Sequence, residues 1–300
     1  LVVAMQVAQR GLAELADDAE ERFTSHVFRA HAHALRGEPP AALFDFRAAL
    51  DWKHKAIGDN DRSLLSLVWH NHLLARLGRR DEATLLTAEN IDILLEFRGP
   101  QHKDISLGNL ILADLHRIAG DLAEAEVLHA SAHDWAVARN AKEVLCWSAL
   151  VKANIEFSVF IDQCSEGPEA ALPALARAQT AIDDGLQIAR DCGFGIFHID
   201  LLLARARLHL LSGEPQAALF DLRTALDYGV PANEQTGQPE LLPATHPECG
   251  YAWAIAEGLH LRGEALLLQA AHELQSATIV DRTMIKAAET KLKILWQVEQ

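Results

Sequence analysis

Three observations in the sequence predict an all-α protein. Apolar residues recur at three- to four-residue spacing along nearly the whole chain, as in Ala42, Leu43, Phe46, Ala49 and Leu50, the period of a helix that buries one face. Glycine and proline stand as punctuation between such stretches, and β-branched clusters bounded by turns are scarce. One segment also occurs twice: GEPPAALFDFRAALD at 37–51 and GEPQAALFDLRTALD at 213–227 agree at twelve of fifteen positions. Repetition of this kind marks a stack of like units, each too small to bury its own apolar face.

The units follow one another along the chain. Ala8, Leu12 and Leu15 mark a second-helix face with no preceding partner, so 1–21 is expected to be a partial unit. Gly37 divides the next, 22–60, and Gly78 divides 61–100. A glycine suits the left-handed residue that ends a helix, and Pro39 suits the first turn of the following one. Gly120 divides 101–141, with Asp121 placed as an N-cap. The three glycines are spaced 41 and 42 residues apart. A turn near Gly167 and Pro168 divides 142–191, Gly213 with Pro215 divides 192–228, and Gly263 is expected to divide 249–300. Ile285, Ala288, Leu292, Leu295 and Trp296 mark an amphipathic helix over 283–299, suited to close the end of a stack. Between the last two units, 229–248 loses the helical period and lies in a stretch with four of the ten prolines. Such a long connection reads either as a surface insertion or as a loop that contacts a partner.

Alignment on the turn glycine assigns the faces. Seven residues before it stand Ala30, Asn71, Ala113, Ala206 and Ala256, and five after it Ala42, Ala83, Ala125 and Ala218. These small residues are where two helices can approach closely. Nine after it stand Phe46, Thr87, His129 and Leu222; twelve after it stand Ala49, Asn90, Ala132 and Ala225. This small–aromatic–small spacing with a turn glycine resembles the tetratricopeptide (TPR) repeat and covers most of the chain. The resemblance implies a right-handed α-solenoid of about six antiparallel helix pairs, a TPR-like superhelix. The period exceeds the usual 34 residues of that repeat. The segments 192–227 and 246–267 look like the C-terminal sensor arrays of bacterial STAND-type NTPases (the NACHT or NB-ARC switch proteins). No Walker A signature occurs in the chain, so any NTPase module is expected outside this piece. The first residue is Leu rather than Met, which also leads us to expect an excised part of a longer chain.

Composition narrows the function. Lys plus Arg number 27 against 42 Asp plus Glu, a formal charge of −15. So acidic a chain is not expected to bind nucleic acid, whose phosphates call for a basic stripe. No apolar run reaches the roughly 18 residues of a membrane span, and a cytoplasmic location is expected. Cys146, Cys164, Cys192 and Cys249 stand far apart without a CxxC, so neither a disulfide framework nor a zinc ribbon is implied.

Chemical constellations are sparse. His129 and His133 lie four apart on one helix face, a spacing that permits a shared metal, but no third ligand is fixed, and a structural role is expected. His33, His116 and His209 each fall four residues before a turn glycine, which points to a packing role built into the repeat. Cys249, near a helix start and close to His246, is the one tempting nucleophile, because a helix dipole lowers a thiol pKa. Cys192 and Cys249 each precede a glycine–aromatic pair, which favours packing or capping instead. Arg76, Arg79 and Arg80 read as a surface turn, and Asp183 with Asp184 as a solvated face.

One series is more informative. Six residues before the turn glycine stand His31, His72, Asp114, Arg207 and Glu257, polar in every unit. By the resemblance this position lines the concave groove, so these five are the candidate contacts for a protein or peptide ligand. No catalytic residue, metal or cofactor is expected. The reading is a non-catalytic interaction or sensor domain, the regulatory part of a larger switch protein that carries an NTPase–effector module. A stand-alone adaptor and a peptide-signal receptor enclosing its ligand stay open.

Overall fold

The computed structural model describes residues 2–14, 19–56, 63–165, 167–233, 235–247 and 249–276. The described residues form twelve α-helices. They are α1 (Val2–Glu14), α2 (Ala19–Leu35), α3 (Pro39–Ala56), α4 (Ser63–Arg76), α5 (Arg80–Arg98), α6 (Lys103–Ala119), α7 (Leu122–Arg139), α8 (Lys142–Gln163), α9 (Pro168–Cys192), α10 (Gly195–Leu211), α11 (Pro215–Arg223) and α12 (Ala252–Ser276). A π-helical turn, Thr224–Tyr228, continues α11. Helices adjacent in sequence pack as pairs, and the even-numbered helices also touch in order: α2 on α4, α4 on α6, α6 on α8, α8 on α10 and α10 on α12.

The small residues sit where the turn alignment puts them. Ala30, Asn71, Ala113 and Ala206 before the turn, and Ala42, Ala83, Ala125 and Ala218 after it, are all fully buried. With little more than a methyl group at most of these positions to hold the backbones apart, the two helices of a pair close on each other and gain dispersion contacts along their length. Phe46, Thr87, His129 and Leu222, nine after the glycine, are buried as well. The largest cores lie between α8 and α12, around Leu201, Leu203 and Leu222, and between α4 and α8, around Leu94, Leu110 and Ile155.

Each turn is closed by the same hydrogen bonds. Gly37, Gly78, Gly120 and Gly213 take positive φ, and the amide after each donates back to the carbonyl five residues earlier: Glu38 to His33, Arg79 to Leu74, Asp121 to His116, Glu214 to His209. That pattern satisfies helix-end carbonyls that would otherwise be orphaned. In three of these turns the histidine ring also faces the same acid, hydrogen-bonded to it in two and at ion-pair distance in the third. Nδ1 of His33 lies 2.5 Å from Glu38, that of His209 2.8 Å from Glu214 and that of His116 3.5 Å from Asp121. The repeat histidines therefore staple turns electrostatically, where the sequence suggested aromatic-like packing.

The duplication extends beyond the segment that betrays it. Arg29 grips the buried Asp45 with two hydrogen bonds of 2.6 and 2.7 Å, and Arg205 grips the buried Asp221 with 2.7 and 2.8 Å. His33 and His209 face the same two carboxylates through Nε2 at 3.8 and 3.6 Å. Arg29, His33, Glu38 and Asp45 each have a counterpart in the other cluster at a constant offset, while His26, which also bonds Asp45 at 2.9 Å, has none because Leu202 stands in its place. Burial works to raise the Asp45 carboxyl, but hydrogen bonds from His26 and Arg29 overcome it and hold the group below its ordinary value.

The turn expected at Gly263 is absent. α12 runs straight through Gly263, which has neither a positive φ nor a close neighbour. Without a turn there, Ala256 is exposed rather than pressed between helices. The helix expected over 283–299 lies outside the described residues, as does Leu15. α8 is long and apolar enough to cross a membrane by length and composition, but Lys152 and Glu156 interrupt its apolar run and 56% of the window is buried inside the fold, so its hydropathy is met by packing. The 229–248 connection folds back on itself through bridges between Val230 and Leu241 and between Asn233 and Gln238. It is tied to α9 by Arg190, which donates to the Pro231 carbonyl and to Gln238.

Two stability measurements check this account. Asp45→Asn and Asp221→Asn should each cost roughly 2–4 kcal/mol in denaturant unfolding, below the full cost of breaking a buried pair because both arginines keep contact with water. The double variant should lose the sum, since the clusters share no partner. At Gly185 an added methyl would meet Ala149 at 2.7 Å and Leu201 at 3.0 Å. Gly185→Ala should therefore cost about 1–3 kcal/mol by overpacking, despite the better helix propensity of alanine.

Candidate functional site

A residue six before the turn lies about 100° around the helix from the small residue at seven before it. When the small residue faces the partner helix, its neighbour faces away from the pair. His31, His72, Asp114, Arg207 and Glu257 all line one cavity of about 550 Å³. All the even-numbered helices from α2 to α12 contribute to its wall, through residues three or four apart. The structure thus gathers the whole predicted series in one place.

The wall is mixed in character. Phe46, Trp147, Phe197 and Trp253 supply aromatic surface, with Leu110, Ile111 and Val151 between them. The His72 ring meets Trp147 edge-on at 5.3 Å and the His31 ring meets Phe46 at 5.4 Å. Burial drives the His72 imidazole down to about 3, helped by the charge of Arg76, and the His31 imidazole down to about 4. At neutral pH both are uncharged rings that can donate or accept one hydrogen bond at each nitrogen. Asp114 pairs with Arg117 at 2.8 Å, and Arg207 pairs with Glu257 across α10 and α12 at 2.7 Å.

Sequence reading missed the most unusual group. Arg76 is not part of a surface turn. Its guanidinium lies over the Trp253 ring, 4.4 Å from the centroid, beside Tyr251, whose hydroxyl donates to Asp200 at 3.0 Å. Protein crowds Arg76 and Asp200 on most sides while the cavity keeps them in contact with solvent. Burial raises the Asp200 carboxyl to about 7, against the pull of Arg76 and the Tyr251 hydrogen bond. Burial also opposes the Arg76 charge, and Tyr251 and Asp200 more than offset it. The signal was present: Arg76 follows His72 by four residues and Asp200 precedes Arg207 by seven, so both share a helical stripe with a predicted contact. Tyr251 and Trp253 are delivered by the 229–248 connection, whose Ala244 exchanges a backbone hydrogen bond with Tyr251.

The other constellations resolve into structure. His129 and His133 stack at 5.7 Å and both reach Ser148, with His129 Nε2 and His133 Nδ1 at 2.9 and 3.0 Å from its hydroxyl. No group of three or more His, Cys, Asp or Glu side chains gathers with metal-binding geometry among the described residues. Burial raises the Cys249 thiol instead of lowering it, and pushes buried Cys146 up to about 12. A raised thiol is a poor nucleophile at neutral pH. Asp183 serves Arg205 and Gln179 on the surface.

No protein-family model matches this chain, and no curated protein sequence matches it.

Asp200 makes a pH prediction with a definite sign. Its carboxyl moves from 3.8 in the unfolded chain to about 7 in the folded one, so between these values the folded state holds the extra proton. Stability from this group is therefore greatest in acid and falls as pH rises through that window. Asp200→Asn keeps an acceptor for Tyr251 and removes the titration. Its melting temperature relative to the parent should rise between about pH 5 and about pH 8. A pH-independent difference would show that Asp200 ionises normally.

Proposed function

We propose that this chain is a non-catalytic ligand-binding domain, a right-handed TPR-like α-solenoid whose inner wall takes a peptide or a short segment of a protein. The observation that carries the reading is the convergence of His31, His72, Asp114, Arg207 and Glu257 on one cavity. Stacked helix pairs that expose a continuous inner surface are suited to recognition. A cavity of this size matches those that enclose small ligands and short peptides. Its mixed wall offers apolar pockets for side chains and neutral or paired polar groups for a backbone. Enclosure favours a receptor for a short segment over an adaptor that docks a folded surface. By resemblance to the sensor arrays of bacterial STAND-type NTPases, the domain is the regulatory part of a larger switch protein, and ligand arrival is the signal it passes on.

Selection of a random peptide library on the whole chain tests this. Peptides recovered on the parent should bind about tenfold more weakly to the triple variant Asp114→Ala, Arg207→Ala and Glu257→Ala. These three are partly exposed and should change the melting temperature little. Equal affinity for parent and variant would remove the cavity from the function.

A further inference from the structure

The charges around the cavity do not balance. Asp114 is neutralised by Arg117, Glu257 by Arg207, and Glu143 by Lys103 on the outer side. What remains is Arg76 and Arg80 against Asp200. The side chain of Arg80, exposed at the cavity wall, has no hydrogen-bond or ion-pair partner among the described residues. The Arg76 guanidinium lies over Trp253 beside Tyr251 and has no side-chain hydrogen bond or ion pair of its own among the described residues, although a guanidinium carries five donors in a planar fork. No ion pair closer than 4.0 Å joins it to Asp200. The wall itself holds four arginines and four acids, and Lys103, which pairs with Glu143 from outside it, leaves one cation in excess at this place in a chain with a formal charge of −15. Around it lie Trp147, Phe197, Trp253 and Ile118.

We propose that the cavity selects a ligand with one acidic group carried on an aromatic or branched apolar body, the acid meeting Arg76 and Arg80 and the body filling the space between Trp147, Phe197 and Trp253. The inference rests on the cavity being the binding site and adds the chemistry of its occupant. A carboxylate, sulfonate or phosphate accepts paired hydrogen bonds from a guanidinium, and a guanidinium pre-oriented by an aromatic face loses little freedom in making them. The apolar wall supplies the remaining affinity by area removed from water. An acid placed here also lies near Asp200, whose protonation near neutral pH relieves the repulsion. Arg76, Arg207, Tyr251, Cys249 and Glu257 are the other charged or titratable groups around that carboxyl.

Two dyes with a common ring system separate acid from body. The probes are 8-anilinonaphthalene-1-sulfonate and the uncharged N-phenyl-1-naphthylamine, titrated into the full chain by fluorescence. The sulfonate should bind once per chain, and Arg76→Gln and Arg80→Gln should each weaken it by about threefold to tenfold while leaving the neutral dye unchanged. Arg80→Gln guards against misfolding, because its side chain is exposed and unpaired. Sulfonate binding that is indifferent to both variants overturns the inference, as does failure of both dyes to bind; peptides that still depend on Asp114, Arg207 and Glu257 would then leave the peptide reading standing. Displacement of the dye by a blocked tetrapeptide of leucine, tryptophan, aspartate and leucine supports the inference with the acid on a side chain. Displacement by indole-3-acetate alone supports it with a free aromatic acid and counts against the peptide reading.

Discussion

Close contact between paired helices is the constraint on which the rest depends. The buried alanines on both sides of each turn, Ala30 with Ala42, Ala113 with Ala125 and Ala206 with Ala218, let two backbones approach until their side chains interlock. Once that face is committed to the partner, the rotation of the helix decides where every other residue points. Position six before the turn must face away from the pair, and in successive pairs these positions arrive at one wall. The cavity is therefore a by-product of how the alanines pack. Its chemistry is free to change without disturbing the contacts that build it.

The polar interior follows a different rule. Burying Asp45 and Asp221 is tolerable because each meets a two-pronged arginine and a histidine held nearby by an acid of the turn. A partly satisfied cluster would be worse than none. The parts of each cluster come from both helices of a pair and from the residue just after the turn, so a misplaced turn would strand several groups together. This gives the two copies a strong preference for one register.

Helix pairing was legible because it depends on local pattern: turn glycines, prolines in the first turn and small residues at fixed offsets. The series from His31 to Glu257 was legible for the same reason. The alignment failed at Gly263, where α12 continues through the glycine, although Gly78 ends its helix with no proline or capping side chain after it either, so the local sequence does not tell the two apart. Arg76 was misread because three arginines near a turn look solvated, and only the aromatic face of Trp253, far away in sequence, makes one of them turn inward. Asp200 and Tyr251 belong to the same class of contact, as does the Arg29–Asp45 pair. Long-range partners of single polar residues leave no periodic trace, although the exact recurrence of Arg29, His33, Glu38 and Asp45 as Arg205, His209, Glu214 and Asp221 was there to be compared.

The stacking of Arg76 on Trp253 joins an early helix to the last one described, and Gly37 lies against Ala252 at the same junction. Apolar contact crosses the junction as well, since Trp253 packs on the core of Ala30, Ala34 and Leu73 and Leu35 on that of the later helices. Parting this seam would bring an indole into water while leaving every helix intact.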